Sequence, residues 1–320
     1  MASSSRKLHI IVTCTERKTA KVPEHLHLRN VPGDEPEALA SRWIERLAAD
    51  VSTPAVLASD LYAGEHWTRA KALPGLAIDT QAHLWTCSAG YGLIPAQAPV
   101  RPYAATLSPG HADSVPGGRA GTAVWWDALS NWEGPDRTQP RTFRELAKSD
   151  PDATFLLVIS ATYLQACHAD IEAASMVIDH DRFMIVSAGT RASTSLDRQL
   201  LPANARLQAH LGGTRQVLNV RIAEDLLKRR LMSCAAATEY LEDLLRGYPD
   251  MERWDREKFS DDAHVIDWIR EEYQHGRGAS ASRMLRALRE SGRACEQKRF
   301  GKLHKQFVDE QHRQRAGSQP

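Results

Sequence analysis

The segment Leu84-Trp85-Thr86-Cys87-Ser88-Ala89-Gly90-Tyr91-Gly92-Leu93-Ile94-Pro95 carries a thiol, a hydroxyl and a phenol into a turn bracketed by glycines. A thiol is a nucleophile once deprotonated, and serine and tyrosine hydroxyls both donate and accept hydrogen bonds. Glycine lets backbone N–H groups approach a ligand closely or take up positive φ. Gly90 and Gly92 therefore mark a candidate ligand-binding turn, with Cys87, Ser88 and Tyr91 as its polar tips. A strand ending in an ordinary turn has the same spacing. A second thiol, Cys14, follows the apolar run 8–12, and Lys18 stands four residues beyond it.

Such groups act together only if the fold brings them to one place. Apolar runs at 8–14, 83–87, 154–160 and 182–189 predict buried strands, and 55–58 predicts the start of another. Amphipathic spacing predicts helices over 35–49, 65–72, 121–131 and 163–178, with a polar Pro- and Gly-rich excursion over 95–140. Strand and helix alternate, and the strands are continuously apolar, so the expected fold class is α/β: a mostly parallel sheet flanked by helices. Parallel strands would line up Thr13-Cys14-Thr15, Cys87-Ser88, Ser160 with Tyr163, and Ser187 with Gly189-Thr190 along one edge. That edge is where open α/β sheets bind ligands, although each small hydroxyl taken singly is also a common helix N-cap.

Composition bounds the function classes. The 320 residues suffice for two domains, and 41 basic against 40 acidic side chains give no overall pull toward a polyanion. No apolar run nears the ~18 residues of a membrane helix, and the amino terminus leads into a strand, so a cytoplasmic protein without a membrane partner is expected. Five widely spread cysteines without a C-x-x-C pair argue against a disulfide framework and a structural zinc site. His9, His25, His27, His66 and His83 lack metal-ligand spacing, so no metal is expected. The absence of a Gly-x-x-x-x-Gly-Lys-Ser/Thr loop disfavours a nucleotide hydrolase, and no cofactor is expected.

The charge is regional. From 233 onward helices are expected at 234–246, 263–275, 280–290 and 296–311. Met284, Leu285, Leu288, Phe300, Leu303 and Phe307 fall at helical spacing on either side of Ser291-Gly292, which matches a helix-turn-helix unit. Residues 276–315 hold eleven basic and four acidic side chains, a local excess of seven positive charges. Such an excess suits salt-sensitive DNA binding, and a solvated helical face is the alternative. In a helix-turn-helix, Gln297, Lys298 and Arg299 would meet base edges, with Arg293 and Lys302 at phosphates. The expected organisation is 1–230 as an α/β ligand domain, 231–312 as a helical, basic, DNA-binding domain, and 313–320 as a disordered tail. In the stretch between, Gly212-Gly213-Thr214 with Arg215 and Arg221 is a candidate anion turn, and Asn219 a candidate helix cap.

Cys14 with Lys18, Asp60-Leu61-Tyr62 with Trp67 and Arg69, Ser88-Ala89-x-Tyr91-Gly92-Leu93-Ile94-Pro95, Pro102-Tyr103 and Thr106-Leu107 together resemble a bacterial family of unknown function related to the YaaA superfamily. That superfamily takes in a DNA-binding peroxide-stress protein and the DpdC proteins of the system that places 7-deazaguanine bases in DNA. The resemblance covers roughly 8–190. Where the family has Lys between Ala and Tyr, this chain has Gly90, so a contact made by that lysine would have to come from Lys18 or Arg69. The resemblance implies a nucleic-acid or nucleobase ligand, with partner proteins of a modification system. In a DpdC-like role a nitrile on a deazaguanine becomes an amide. Cys14 or Cys87 would be the nucleophile and Tyr91 or Lys18 the acid, while Ser88, Gly90, Gly92, Tyr62, Arg69, Tyr103, Ser160 and Ser187 would surround the ligand. Both thiols can equally be small core residues. The leading expectation is a nucleic-acid-associated enzyme acting on a nucleobase, in a DNA-modification or defence setting. The alternative is a non-catalytic DNA-binding stress or defence protein with a nucleotide-sensing crevice, and dependence on the thiols separates the two.

Overall fold

The computed structural model describes residues 6–190, 195–248, 257–259, 261–276 and 278–316. The chain divides into two units, 1–250 and 251–320. The first opens with β1 (Arg6–Thr13), α1 (Pro36–Ala49), β2 (Val56–Leu57), α2 (Ala58–Leu61) and α3 (Glu65–Leu76). There follow β3 (Thr80–Ser88), β4 (Gly92–Pro95), β5 (Pro99–Val100), α4 (Gly118–Asn131), α5 (Phe143–Ser149) and β6 (Thr154–Val158). It closes with α6 (Ala161–Ala166), α7 (His168–Ser175), β7 (Phe183–Val186), α8 (Leu207–Leu211), α9 (Leu218–Lys228) and α10 (Cys234–Gly247).

Five strands form one sheet in the order β4-β3-β1-β6-β7. β1 pairs in parallel with both β3 and β6, β6 with β7, and only β4 runs antiparallel, against β3. This is the expected α/β fold with a mostly parallel sheet flanked by helices. β1 is central and buried from Leu8 to Thr13, which is why it reads as an unbroken apolar run. From β1 the chain winds out to β3 and β4, then crosses back to β6 and β7 on the other side, so the winding direction switches at β1. The crevice position of such a sheet lies beyond the carboxyl end of that strand.

Several local expectations are corrected. The helix expected over 163–178 is broken at Cys167 into α6 and α7, and 55–58 yields only β2, which pairs with β5 outside the main sheet. α10 was expected beyond the first boundary, yet Cys234, Ala237 and Leu241 bury its inner face in the core of the first unit. The boundary therefore lies near 250 rather than 230. Asn219 does not cap α9, which begins one residue earlier. Its side chain accepts from Ala188 N (2.8 Å) and donates to Ile159 O (2.9 Å), tying the ends of β6 and β7 together. Arg221, beside the Gly212-Gly213 turn, is committed to Leu211 O and Glu65.

The second unit contains β8 (Glu257–Lys258), α11 (Asp262–Gln274), α12 (Ala281–Glu290), β9 (Arg293–Ala294) and α13 (Gln297–Ala316). Val265, Ile269, Met284, Leu285, Leu288, Phe300, Leu303 and Phe307 form its own core. The link between α12 and α13 is longer than a tight helix-turn-helix turn, because it holds β9, which pairs with β8. α13 runs through Ala316, where a disordered tail was expected from 313; residues 317–320 lie outside the described residues. Among the described residues no helix is long and apolar enough to cross a membrane.

At the amino-terminal end of the sheet, Trp85 Nε1 donates to His9 Nδ1 (3.0 Å), so His9 Nε2 carries the proton and donates to Asp150 (3.0 Å). Burial pushes this imidazole down from 6.5 to about 4, with the Asp150 carboxylate opposing. The unfolded chain then binds the proton that the folded chain refuses, and stability falls as pH drops from about 6.5 to about 4, by roughly 3 kcal/mol at ~1.36 kcal/mol per unit. Urea midpoints measured across that window are expected to decline in the wild type and to flatten in His9→Gln; a wild-type midpoint independent of pH there contradicts the assignment.

Candidate active site

Cys14 follows the last residue of β1, and its N–H donates to Cys87 O at the end of β3 (3.0 Å), so the thiol stands at the winding switch. It is partly exposed. Its Sγ lies 3.2 Å from the Tyr163 hydroxyl on α6 and accepts from the Tyr103 hydroxyl at 3.7 Å. Behind it the Tyr62 hydroxyl donates to Ser88 Oγ (3.1 Å), and Ser88 Oγ lies 2.8 Å from Tyr103 Oη. One consistent set of donors runs Tyr62 to Ser88 to Tyr103 to the Cys14 sulfur, with Tyr163 as a second donor to it.

Lys18 covers this chain of hydroxyls. Its ammonium donates to Thr15 O (2.6 Å) and Glu16 O (3.1 Å) and lies 4.7 Å from the ring centre of Tyr103 and 5.2 Å from that of Tyr62. Carbonyl dipoles and two aromatic faces thus replace water around the charge. Burial lowers the Lys18 pKa, while Cys14 and Glu16 push it the other way. The Tyr62, Tyr103 and Tyr163 phenols are raised well above their ordinary value, first by burial and next by the charge Cys14 can carry. They remain protonated donors.

The glycine-bracketed turn plays a different part from the one expected. Ser88 and Gly92 face each other as the last pair of the β3–β4 hairpin, and Gly92 takes φ +72°. The N–H groups of Gly90 and Tyr91 both donate to Ser88 Oγ (3.3 and 3.1 Å), so they fix the serine instead of reaching a ligand. A Cβ on residue 90 would sit 2.5 Å from the Tyr103 ring, which is the physical reason for glycine at this position. Tyr91 points away from Cys14: its hydroxyl accepts from Arg101 N at 3.0 Å.

Of the expected site residues, the structure gathers Cys14, Lys18, Tyr62, Ser88 and Tyr103. Cys87 is not among them, since it is fully buried with its sulfur 3.5 Å from Cys167, and burial raises both thiols. Arg69 is held by Glu224 (2.8 Å) and Glu65 (3.1 Å) between α3 and α9. Ser160 caps α6, and Ser187 is paired with Thr190 (2.8 Å), so both close the sheet edge. In the second unit Arg293 lies over the Phe259 ring (5.4 Å), Arg299 is paired with Asp262 (2.6 Å), and Gln297, Lys298 and Lys302 are exposed.

Tyr163, expected at the sheet edge beside Ser160 and not as part of the catalytic group, reaches Cys14 across 149 positions of sequence. His66 was passed over. Its ring nitrogens are buried beside the Thr13 backbone, one residue before Cys14, and burial lowers its pKa while that backbone contact opposes. A cavity of about 850 Å3 opens between α4, α5, α6 and α7, lined among others by Arg119, Trp126, Arg144, Lys148, His168 and Asp170. It shares no lining residue with the Cys14 cluster, and its Asp170 is satisfied by Trp126 Nε1 and the N–H groups of Phe143 and Arg144. Compared with family models and with curated proteins, the chain matches none.

Proposed function

We propose that the protein is a nucleic-acid-associated enzyme that acts on a nucleobase through a single nucleophilic cysteine, Cys14. The observation that carries the reading is the position of this partly exposed thiol at the winding switch, within 3.2 Å of a phenol and beside a desolvated ammonium. A nucleophile, a proton donor and a cation next to one another are what addition to a polarised carbon needs. The basic second unit supports the nucleic-acid side of the reading.

For a deazaguanine nitrile the steps balance as the addition of one water. The sulfur bonds to the nitrile carbon as the Tyr163 phenol protonates the nitrogen and recovers the Cys14 thiol proton across their 3.2 Å contact, which leaves a thioimidate. Water then adds to the thioimidate carbon, its hydroxyl going to the carbon and its other proton to the nitrogen. The C–S bond breaks as the new hydroxyl's proton passes to the sulfur, and an amide and the free thiol remain.

Full-length protein incubated with a duplex carrying the nitrile base is expected to yield a base heavier by one water, read by mass spectrometry after digestion. Tyr163→Phe is expected to slow the conversion roughly 10²- to 10⁴-fold, the usual worth of a placed acid. No mass change with the wild-type protein, or an unchanged rate in Tyr163→Phe, rejects the mechanism.

A further inference from the structure

The second unit is electrically polarised. Around α11, residues 261–274 hold five acidic side chains and one basic, whereas 276–315 hold eleven basic and four acidic. Packing decides which of those cations are free. Arg299 is drawn to Asp262, Arg286 pairs with Glu290 (2.9 Å), and Arg293 lies over Phe259. Lys298, Lys302 and Lys305 are exposed, and among the described residues none of the three closes an ion pair, although Lys298 feels the charge of Glu296 two residues before it. They occupy i, i+4 and i+7 on α13, opposite the face that Phe300, Leu303 and Phe307 bury. Like charges at this spacing weaken a helix by about 0.2–0.5 kcal/mol per pair, a cost that an external polyanion would reverse.

The first turn of α13 is already occupied. The Glu296 carboxylate accepts from Lys298 N (2.9 Å) and Arg299 N (2.7 Å), and these bonds hold its pKa down, so a fixed negative charge sits where a phosphate or base edge would approach. With Arg299 tied to Asp262, the trio expected to read bases is reduced to Gln297 and a lysine of the stripe.

We propose that the Lys298–Lys302–Lys305 face of α13 grips the phosphate backbone of a nucleic-acid duplex without reading its sequence. Three features select this partner. The stripe spans about 10 Å at 1.5 Å per residue, within the ~12 Å width of a major groove. The apolar face of α13 is spent on its own core, which leaves none to enter a bilayer as interfacial helices require. No aromatic residue stands within the stripe to stack an unpaired base. The inference rests on the nucleic-acid association proposed above and specifies how that association is made.

The test uses the full chain and two fluorescent duplexes of equal length and unrelated sequence, with anisotropy followed from about 50 to about 200 mM salt. The triple variant K298Q/K302Q/K305Q is expected to lose affinity equally on both duplexes. Its log–log salt slope should shrink by about 2.7, at ~0.9 per phosphate contact. Lys→Arg at the same three positions should keep the wild-type slope, and Arg299→Gln should bind within about twofold of wild type. If the wild type binds both duplexes and the triple variant binds them equally well, the stripe is not the grip, though the association stands. If the triple variant weakens on one duplex only, the surface reads sequence and the proposal is wrong. If the wild type binds neither duplex, or binds only phosphatidylserine vesicles, the association itself falls with it.

Discussion

Cys14→Ala is expected to abolish base conversion, by about 10³-fold or more, while leaving duplex affinity unchanged. The expectation follows from where the thiol stands. Cys14 is partly exposed and packs only against the rim of the core, and the backbone bond from its N–H to Cys87 O survives the substitution. Thermal stability should therefore move little, and the loss should appear in turnover alone. Cys14→Ser tests the chemistry more finely, because a hydroxyl in the same place keeps the contacts with Tyr163 and Tyr103 but is a far weaker nucleophile. The control is Cys87→Ala. That residue is fully buried against Cys167, so its truncation should cost about 1 kcal/mol or more of stability and leave the rate near wild type. Full activity in Cys14→Ala would move the protein into the non-catalytic class, with the hydroxyl cluster left as a binding site. Loss of activity in Cys87→Ala at unchanged stability would point to the wrong thiol.

Arg141→Ala is the substitution expected to damage the fold most, by roughly 4 kcal/mol. Arg141 is 7 % exposed, and among the described residues its guanidinium pairs with no carboxylate; its neighbours are carbonyls and the Trp132 ring. It donates to Leu93 O (2.7 Å) and Tyr91 O on the β3–β4 hairpin, and to Leu129 O (3.2 Å) and Trp132 O (3.0 Å) at the end of α4. Cations belong at helix carboxyl ends, where carbonyls lack intrahelical partners. Burial pushes Arg141 down to about 10, so it still carries its charge at neutral pH. Alanine would take one partner from each of four carbonyls, three of them buried, at about 1 kcal/mol or more apiece, against a total stability of only ~5–15 kcal/mol. Arg141→Lys keeps the charge but not the planar fork, and should recover about half of the loss. Chemical denaturation of the three proteins measures this directly, and an alanine variant within about 1 kcal/mol of wild type rules out the clamp. Because the clamp holds the turn that carries Ser88, a surviving Arg141→Ala protein should also show weakened activity.

The legible parts of this protein are those written in local sequence. β1, β3, β6 and β7 announce themselves as apolar runs, because strands of a parallel sheet are covered on both faces. The core helices of the second unit follow from the spacing of Met284, Leu285, Leu288, Phe300, Leu303 and Phe307, and the basic character of that region from simple charge counting. Cys14, Lys18, Tyr62, Ser88 and Tyr103 were legible as candidates because of their residue types and their places at or near strand ends and turns. Which of them act together was not. The two thiols look alike in sequence, each following an apolar strand, but α6 and α7 bury Cys87 against Cys167 and offer Tyr163 to Cys14. Arg69, Arg293 and Arg299 look like free cations until Glu224, Phe259 and Asp262 reach them from distant positions. The physical reason is the range of the interactions. Strand and helix formation respond to neighbours a few residues away, so the sequence by itself determined the α/β sheet and the helical basic unit. Burial, charge pairing and access to solvent are set by residues that stand from 37 to 155 positions apart, and only the tertiary structure decided that Cys14 is the open thiol and that the three lysines of α13 are left without an ion pair among the described residues.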